Sequence, residues 1–214
     1  MIVLIVDPAE STGYCLAEVS EDGTTADIYQ YDFIDVDKSS EYEGDHCIDL
    51  QNQLKAIIDE NAVENAGVET YFFSKKTANG SCTNASYRAA IHITLRQNDV
   101  PYTILNISSW KNYIAGRSTP SKEQKKQWGK DPAKKLYIQQ ALYDNFGFKF
   151  PNHSLSKKTG KPILFRYDIV DAVAMMVYFL CTFLRVREVT MSVEVPEDVE
   201  FKKASKKLFV YPAE

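Results

Sequence analysis

The first third of the chain alternates between apolar runs and short polar turns, a pattern that predicts strands. A continuous apolar run covers residues 2–6, and two longer segments follow at 12–19 and 26–36. Gly23 lies in the turn between the last two. Strand-length runs joined by short turns are typical of an antiparallel meander.

Helical spacing then replaces this alternation. Apolar residues recur at helical intervals from Cys47 to Ile58, and a second helix is predicted over 84–98. Strands are predicted at 67–73 and 100–107. The order of three strands, helix, strand, helix, strand supports an α/β fold with a mixed sheet.

The remaining elements are predicted from residues that typically start or end helices and from hydrophobicity. Asp131-Pro132 is typical of a helix start, and Gly147 of its end. Residues 149–166 are basic and carry little periodicity, so we expect a mobile loop that orders on DNA. The run at 169–184 is shorter than a membrane span and contains an acid, which favours a buried helix. A further strand is predicted at 189–195.

Charge is distributed unevenly along the chain. Residues 1–60 hold fifteen acidic residues against two lysines, whereas residues 107–166 hold thirteen basic residues against three acidic ones. A concentrated basic block favours a surface that binds a polyanion, although a plain solvated surface is the simpler alternative. The four cysteines and three histidines show no metal-binding spacing, so zinc is not indicated.

Four carboxylates occupy unusual positions for acidic side chains. Asp7 ends the first apolar run, Glu69 lies inside the strand at 67–73, and Asp168 and Asp171 begin the buried helix three residues apart. Residues at this spacing share one helix face. A carboxylate in an apolar element is costly unless it is paired or binds a cation, and hard oxygen ligands suit Mg²⁺ or Mn²⁺. The alternative roles are structural, with Asp7 capping a turn and Asp168 capping its helix.

Four segments together resemble the RuvC-like Holliday-junction resolvases of the ribonuclease H superfamily. They are Asp7-Pro8-Ala9 with Thr12-Gly13-Tyr14, Val68-Glu69-Thr70-Tyr71-Phe72, Trp110-Lys111 with Ser121-Lys122, and Asp168-Ile169-Val170-Asp171-Ala172. Ala9 stands where the family usually has glycine, and that difference leaves a catalytically inactive branched-DNA-binding protein as an alternative.

The resemblance implies the fold and the domain organisation. We expect a ribonuclease H-like mixed five-stranded sheet flanked by helices in residues 1–185, with a basic insert at about 126–166. Residues 186–214 would form a C-terminal extension of unknown role.

The resemblance also implies an activity and its residues. The expected function is metal-dependent hydrolysis of four-way or other branched DNA by a homodimer, with Asp7, Glu69, Asp168 and Asp171 binding Mg²⁺, or Mn²⁺ as a substitute, as two ions per site. Lys122 is expected to steady the charge of the scissile phosphate. The further candidates for DNA contact are Phe72, which would stack on bases unless it packs in the core as strand aromatics usually do, and Lys75, Lys76, Lys111, Lys134 and Lys135.

Other activities stay open at this point. A ribonuclease H-like nuclease could act instead on RNA–DNA hybrids or DNA flaps. A sugar-kinase or actin-like ATPase also begins with a strand ending in aspartate, but it needs two related domains and glycine-rich phosphate loops that this chain lacks. The sequence shows no secretory leader, so we expect a cytoplasmic protein without membrane association.

Overall fold

The computed structural model describes residues 1–9, 11–70, 78–156, 159–197 and 211, with the backbone alone at 78–83, 162 and 164. The strands are β1 (Ile2–Asp7), β2 (Ser11–Val19), β3 (Thr25–Asp35), β4 (Asn65–Glu69), β5 (Tyr102–Leu105), β6 (His153–Leu155), β7 (Pro162–Leu164) and β8 (Glu188–Met191). The helices are α1 (Glu43–Asn61), α2 (Ala78–Gln97), α3 (Ile107–Ala115), α4 (Lys122–Trp128), α5 (Lys130–Phe146) and α6 (Tyr167–Thr182).

Six strands form one mixed sheet in the order β5-β4-β1-β2-β3-β8. Strands β1, β2 and β3 are antiparallel neighbours, which confirms the predicted meander. Strand β4 lies parallel to β1, and β5 lies parallel to β4. The α/β fold with a mixed sheet flanked by helices is therefore confirmed.

Helices cover both faces of this sheet. Helices α3, α5 and α6 pack on one face, and α1 and α2 pack on the other. In β1, Val3 and Ile5 contact the α6 side, whereas Leu4 and Val6 contact the opposite side. Because successive strand residues point to opposite faces, Asp7 points towards α6.

Helix α6 is the central helix of the fold. Eleven of its sixteen residues are buried, because it lies between the sheet and helices α3 and α5. A helix that is apolar on all sides is typical of such a buried position. None of the helices described here combines the length and hydrophobicity that crossing a membrane requires.

Gly13 allows α6 to approach the sheet closely. It pairs with Asp7 across β1 and β2, and it lies beneath the first turn of α6. A Cβ atom added at Gly13 would lie 2.4 Å from the carbonyl oxygen of Asp168 and 2.5 Å from its carbonyl carbon. Because Gly13 has no side chain, the start of α6 can contact the β1–β2 strand pair directly beside Asp7.

The C-terminal extension contributes a strand to the sheet. Strand β8 lies parallel to β3, where Thr25 pairs with Glu188 and Ile28 with Met191. The strand predicted at 189–195 exists, but it begins one residue earlier and ends four residues earlier, at Met191, and it extends the expected five strands to six.

The prediction of an irregular loop over 149–166 is wrong in part. Strands β6 and β7 form a small antiparallel hairpin, in which His153 pairs with Leu164 and Leu155 with Pro162. Phe150 and Phe165 are buried on either side of it, and their rings contact each other in a tilted arrangement at a centroid distance of 5.9 Å, which anchors its base. Strands of three residues are too short to produce a recognisable period in the sequence.

Replacing Gly13 by alanine should destabilise the fold. The new methyl group would meet backbone atoms that cannot rotate away, so we expect a loss of about 1–3 kcal/mol, as for other overpacked core positions. Chemical denaturation measures this loss. Gly44→Ala is the matched control, because nothing lies within 4 Å of a Cβ at this α1 position, and it should leave stability unchanged or raise it by up to about 1 kcal/mol. Equal stability of both variants would contradict the close approach.

Candidate active site and metal centre

The two strand acids lie at the same level of the sheet. Val6 pairs with Val68 across β1 and β4, so Asp7 and Glu69 each follow one residue later. Gly67, two residues before Glu69, would meet the Ile5 side chain if it carried a Cβ, which places this side of β4 on the α6 face as well. Asp7 and Glu69 thus both face α6, as their strand positions require.

The first two turns of α6 bring Asp168 and Asp171 beside Asp7, whereas Glu69 is not part of this closest group. One carboxylate oxygen each from Asp7, Asp168 and Asp171 lies within 4.8 Å of the others. Asp7 and Asp171 are only 5% and 4% exposed. The N-cap of α6 is Arg166 rather than Asp168, and no side chain caps the helix. The turn after β1 is closed by Thr12 Oγ1, which donates to the carbonyl of Ala9 at 2.8 Å. Among the described residues, Asp168 is thus not the cap of its helix, and Thr12 rather than Asp7 closes the turn after β1.

Burial and mutual repulsion both act on the strand acids. Burial raises the pKa of Asp7 well above its ordinary value of 3.8, and the Glu69 carboxylate raises it further. Burial also raises the pKa of Glu69, and the Asp171 carboxylate adds to that rise. Burial and the neighbouring carboxylates thus both disfavour the ionised forms of Asp7 and Glu69.

Three groups oppose this repulsion. The charges of Lys111 and Lys135 lower the pKa of Glu69, and so does the hydrogen bond from Trp110. Trp110 Nε1 donates to Glu69 Oε1 at 3.0 Å, and the indole itself is fully buried. Lys111 Nζ lies 4.8 Å from the centre of the Trp110 ring, so a cation–π contact holds it beside the site.

Trp110 has a role that the sequence reasoning did not assign. It belongs to one of the four segments that carry the family resemblance, but its ring was given no function. The available signal was chemical, because a buried tryptophan needs an acceptor for its indole N–H. Here that acceptor is Glu69, whose side chain the hydrogen bond orients.

Lys135 lies among the acids, although the sequence predicts it as a DNA contact. Its ammonium group donates to Asp168 Oδ1 at 3.2 Å and to Asp171 Oδ2 in a short ion pair. Burial lowers the pKa of Lys135, but the charges of Asp171, Asp168 and Asp7 outweigh that effect and hold it well above its ordinary value. The side chain is 36% exposed, so one side of the ion pairs remains open to solvent.

The donor set suits a hard divalent cation. All four candidate ligands are carboxylates, which Mg²⁺ and Mn²⁺ prefer. Asp171 Oδ1 is buried and, within the described part of the chain, has no hydrogen-bond partner. A buried polar atom without a partner is costly, and an ion bound there would remove that cost.

The other predicted DNA contacts are not gathered at the acids. Lys122 is exposed in the first turn of α4, and no described hydrogen bond or ion pair joins it to the four acids. Lys134 is exposed and pairs with Asp131 at 2.8 Å. Phe72, Lys75 and Lys76 lie outside the described residues, so their predicted roles stay predictions.

The chain was compared with known proteins by sequence and by structure. No family model matches the sequence. No curated protein matches it either. Similarity is found among solved structures.

RuvC from Thermus thermophilus in complex with a Holliday junction substrate superposes with a TM-score of 0.58 at 16% identity, over 87% of this chain and 95% of that chain. A second Thermus thermophilus RuvC structure gives a TM-score of 0.58 at 14% identity, over 87% of this chain and 98% of that chain. The yeast mitochondrial Holliday junction resolvase gives 0.45 at 16% identity, over 83% and 78% of the two chains. The two RuvC superpositions confirm the predicted fold: the chain has the ribonuclease H-like fold of RuvC.

Proposed function

We propose that this protein is a metal-dependent, structure-selective endonuclease that hydrolyses phosphodiester bonds in four-way junctions or other branched DNA. One observation carries the proposal. Asp7, Asp168 and Asp171, from a strand end and a helix start far apart in the chain, place carboxylate oxygens within 4.8 Å of one another on a buried face. Such clustering is costly without a cation, so its presence supports a metal-binding role.

Each acid would contribute differently to cation binding. Asp7 and Asp171 are the buried ligands, and Asp168 lies closer to solvent at the helix start. The Trp110 hydrogen bond orients Glu69, whose charge acts on Asp7 and Asp171. A bound divalent ion would supply Lewis-acid stabilisation of the charge that develops on the phosphate oxygens.

Basic residues would bind the DNA around this centre. Lys111 lies beside Glu69 and is available to contact a phosphate near the acids. Lys122, Lys125 and Lys126 are exposed on α4 and would contact phosphates further along the strand. Phosphate contacts of this kind position a nucleic acid without reading its sequence, which suits an enzyme that recognises DNA structure.

Branched DNA is the substrate class favoured by the structural neighbours. One superposed RuvC structure is a complex with a Holliday junction substrate. A four-way junction has twofold symmetry, and two matched incisions need two active sites, so we further propose that the protein acts as a homodimer. Cleavage assays on four-way junctions, flaps and RNA–DNA hybrids in parallel distinguish these substrates.

An inactive branched-DNA-binding protein is disfavoured by the site itself. A protein that only binds DNA has no use for buried carboxylates that repel one another, whereas here Asp7 and Asp171 are buried and Asp171 Oδ1 has no partner among the described residues. The ATPase alternative is disfavoured because the described strands form a single large mixed sheet of ribonuclease H-like fold, whereas an ATPase of that type needs two related domains.

Asp7→Asn and Glu69→Gln should each abolish cleavage and retain junction binding. Each change removes a ligand charge without altering the basic surface, so we expect a rate loss greater than the roughly 10–100-fold seen when a group supporting a metal ligand is removed. A gel assay on a synthetic junction with Mg²⁺ measures cutting, and the same assay in Ca²⁺ measures binding. Asp22→Asn, in an exposed turn, is the control and should cut normally. Full activity of Asp7→Asn would contradict the site assignment.

Metal-free stability should depend on pH through Asp7. Its folded pKa is raised, so the folded protein binds the proton more tightly than the unfolded chain, and stability falls as pH rises through and above 3.8. Asp7→Asn should therefore raise the Tm at pH 7 in EDTA, by about 2–4 °C for each kcal/mol gained, and this gain should vanish below about pH 4. Asp22 has its pKa lowered to about 2 by hydrogen bonds from Ser20 and Thr24, so Asp22→Asn should not raise the Tm.

Adding Mg²⁺ should reverse the order of the two melting temperatures, so that the wild type becomes more stable than Asp7→Asn. Binding to the folded state alone raises wild-type stability by about 2.7 kcal/mol at a hundred times the Kd, and Asp7→Asn should gain much less. Differential scanning calorimetry with and without Mg²⁺ tests both parts. A wild-type Tm that is indifferent to Mg²⁺ and Mn²⁺ would remove the metal from the proposal.

Junction affinity should fall steeply with salt, because lysines that bind phosphates release counterions. The double change Lys125→Gln and Lys126→Gln should reduce the slope of log affinity against log salt by up to about 1.8, or about 0.9 for each phosphate that is no longer neutralised. Fluorescence anisotropy at several salt concentrations provides the slope. Lys55→Gln is the control, since Lys55 is exposed in the acidic half of the chain and pairs with Asp59. Equal slopes for both variants would assign the α4 lysines to plain solvent-facing surface.

A further inference from the structure

Lys135 lies within the acidic cluster and pairs with both of its helix acids. Its ammonium group connects two carboxylates of α6 from the neighbouring helix α5, and it contacts one oxygen of each. Asp171, one of the two partners, is only 4% exposed, so this pairing is not a surface ion pair. Lysine provides a compact positive charge, which resembles a bound metal ion more closely than the planar guanidinium of arginine does.

Because Lys135 engages two carboxylate oxygens, fewer oxygens of the four acids are available to bind a metal ion. Asp171 Oδ1 is buried and without a hydrogen-bond partner in the described residues, whereas Asp171 Oδ2 is already engaged. Glu69 Oε1 accepts the hydrogen bond from Trp110. One carboxylate oxygen of Asp7 lies within 4.8 Å of one of Asp171, and the Glu69 carboxylate, outside this closest group, interacts with Asp7 and Asp171 through its charge. These are ligands for one ion between β1, β4 and α6, rather than for two.

The charge balance of the site also favours one divalent ion over two. The four carboxylates are opposed by Lys135, which contacts two of them, and by Lys111, whose charge acts on Glu69. Four carboxylates, two lysines and one divalent ion are together neutral. A second divalent ion would leave this buried group with excess positive charge unless Lys135 moved away or phosphate oxygens entered.

We propose that Lys135 fills one of the two cation positions of this site, so that the free protein binds a single divalent ion, held by Asp7, Asp171 and Glu69. This inference rests on the proposed function, because it assumes that the acids bind metal. It replaces the expectation of two ions per site that the family resemblance implies. Lys135 is then a charge-supplying residue of the site rather than a DNA contact.

The test counts bound Mn²⁺ by isothermal titration calorimetry, without DNA and without reference to cleavage. The wild type should bind one ion per chain. Lys135→Gln should bind two, because removal of the ammonium group frees Asp168 Oδ1 and Asp171 Oδ2. Lys135→Arg retains the charge and should bind one. Lys134→Gln is the matched control, since Lys134 is the adjacent residue on α5 but pairs with exposed Asp131, and it should also bind one.

The possible results separate the two proposals. Two ions in the wild type would overturn the role of Lys135 and leave the metal-dependent nuclease standing. One ion in both the wild type and Lys135→Gln would overturn it as well, because the lysine would then hold no cation position. No bound Mn²⁺ in any variant would overturn the metal site itself. Melting curves check that each variant is folded; if Lys135→Gln is not, Lys135→Met replaces it, with the same expected count of two.

Discussion

The geometry of the candidate site depends on the backbone contact between Gly13 and Asp168. No side chain separates β2 from the first turn of α6 at this point, and a Cβ there would lie 2.4 Å from a carbonyl oxygen. Since Gly13 also pairs with Asp7, the contact places the strand acid and the helix acids at one level. A larger residue would separate the two elements and with them the carboxylates. The glycine of the Thr-Gly pair is therefore needed for the close packing of α6 on β2, and only through that packing does it affect the chemistry of the site.

The clustered carboxylates destabilise the folded protein, and neighbouring groups reduce their mutual repulsion only in part. Burial and mutual repulsion raise the pKa of Asp7 and of Glu69, while Lys111, Lys135 and Trp110 act in the opposite direction. Sites arranged for chemistry commonly retain such unfavourable interactions, because the same groups become favourable when the ligand binds. The cost here is local, since hydrophobic clusters on both faces of the sheet support the site.

The sequence predicts those parts of the structure that depend on local patterns. Run lengths give the meander, and acids within apolar elements identify Asp7, Glu69 and the α6 pair. The position of Lys135 is not predicted, because it depends on how α5 packs against α6, and a lysine in a basic block resembles its solvated neighbours. The partner of β8 is not predicted either, since pairing over about 160 residues leaves no local signal. The β6–β7 hairpin is too short for periodicity to reveal it.

The wide separation of Asp7 and Asp168 along the chain affects when the site forms during synthesis. Asp7 is translated 161 residues before Asp168, so the strand acid is synthesised well before its partners on α6. Strand β8, which lies beside β3, is translated later still. Contacts between residues far apart in the sequence are made late in folding, because a long loop must close first. A nascent or truncated chain that ends before α6 thus carries the strand acids without the carboxylates that complete the cluster.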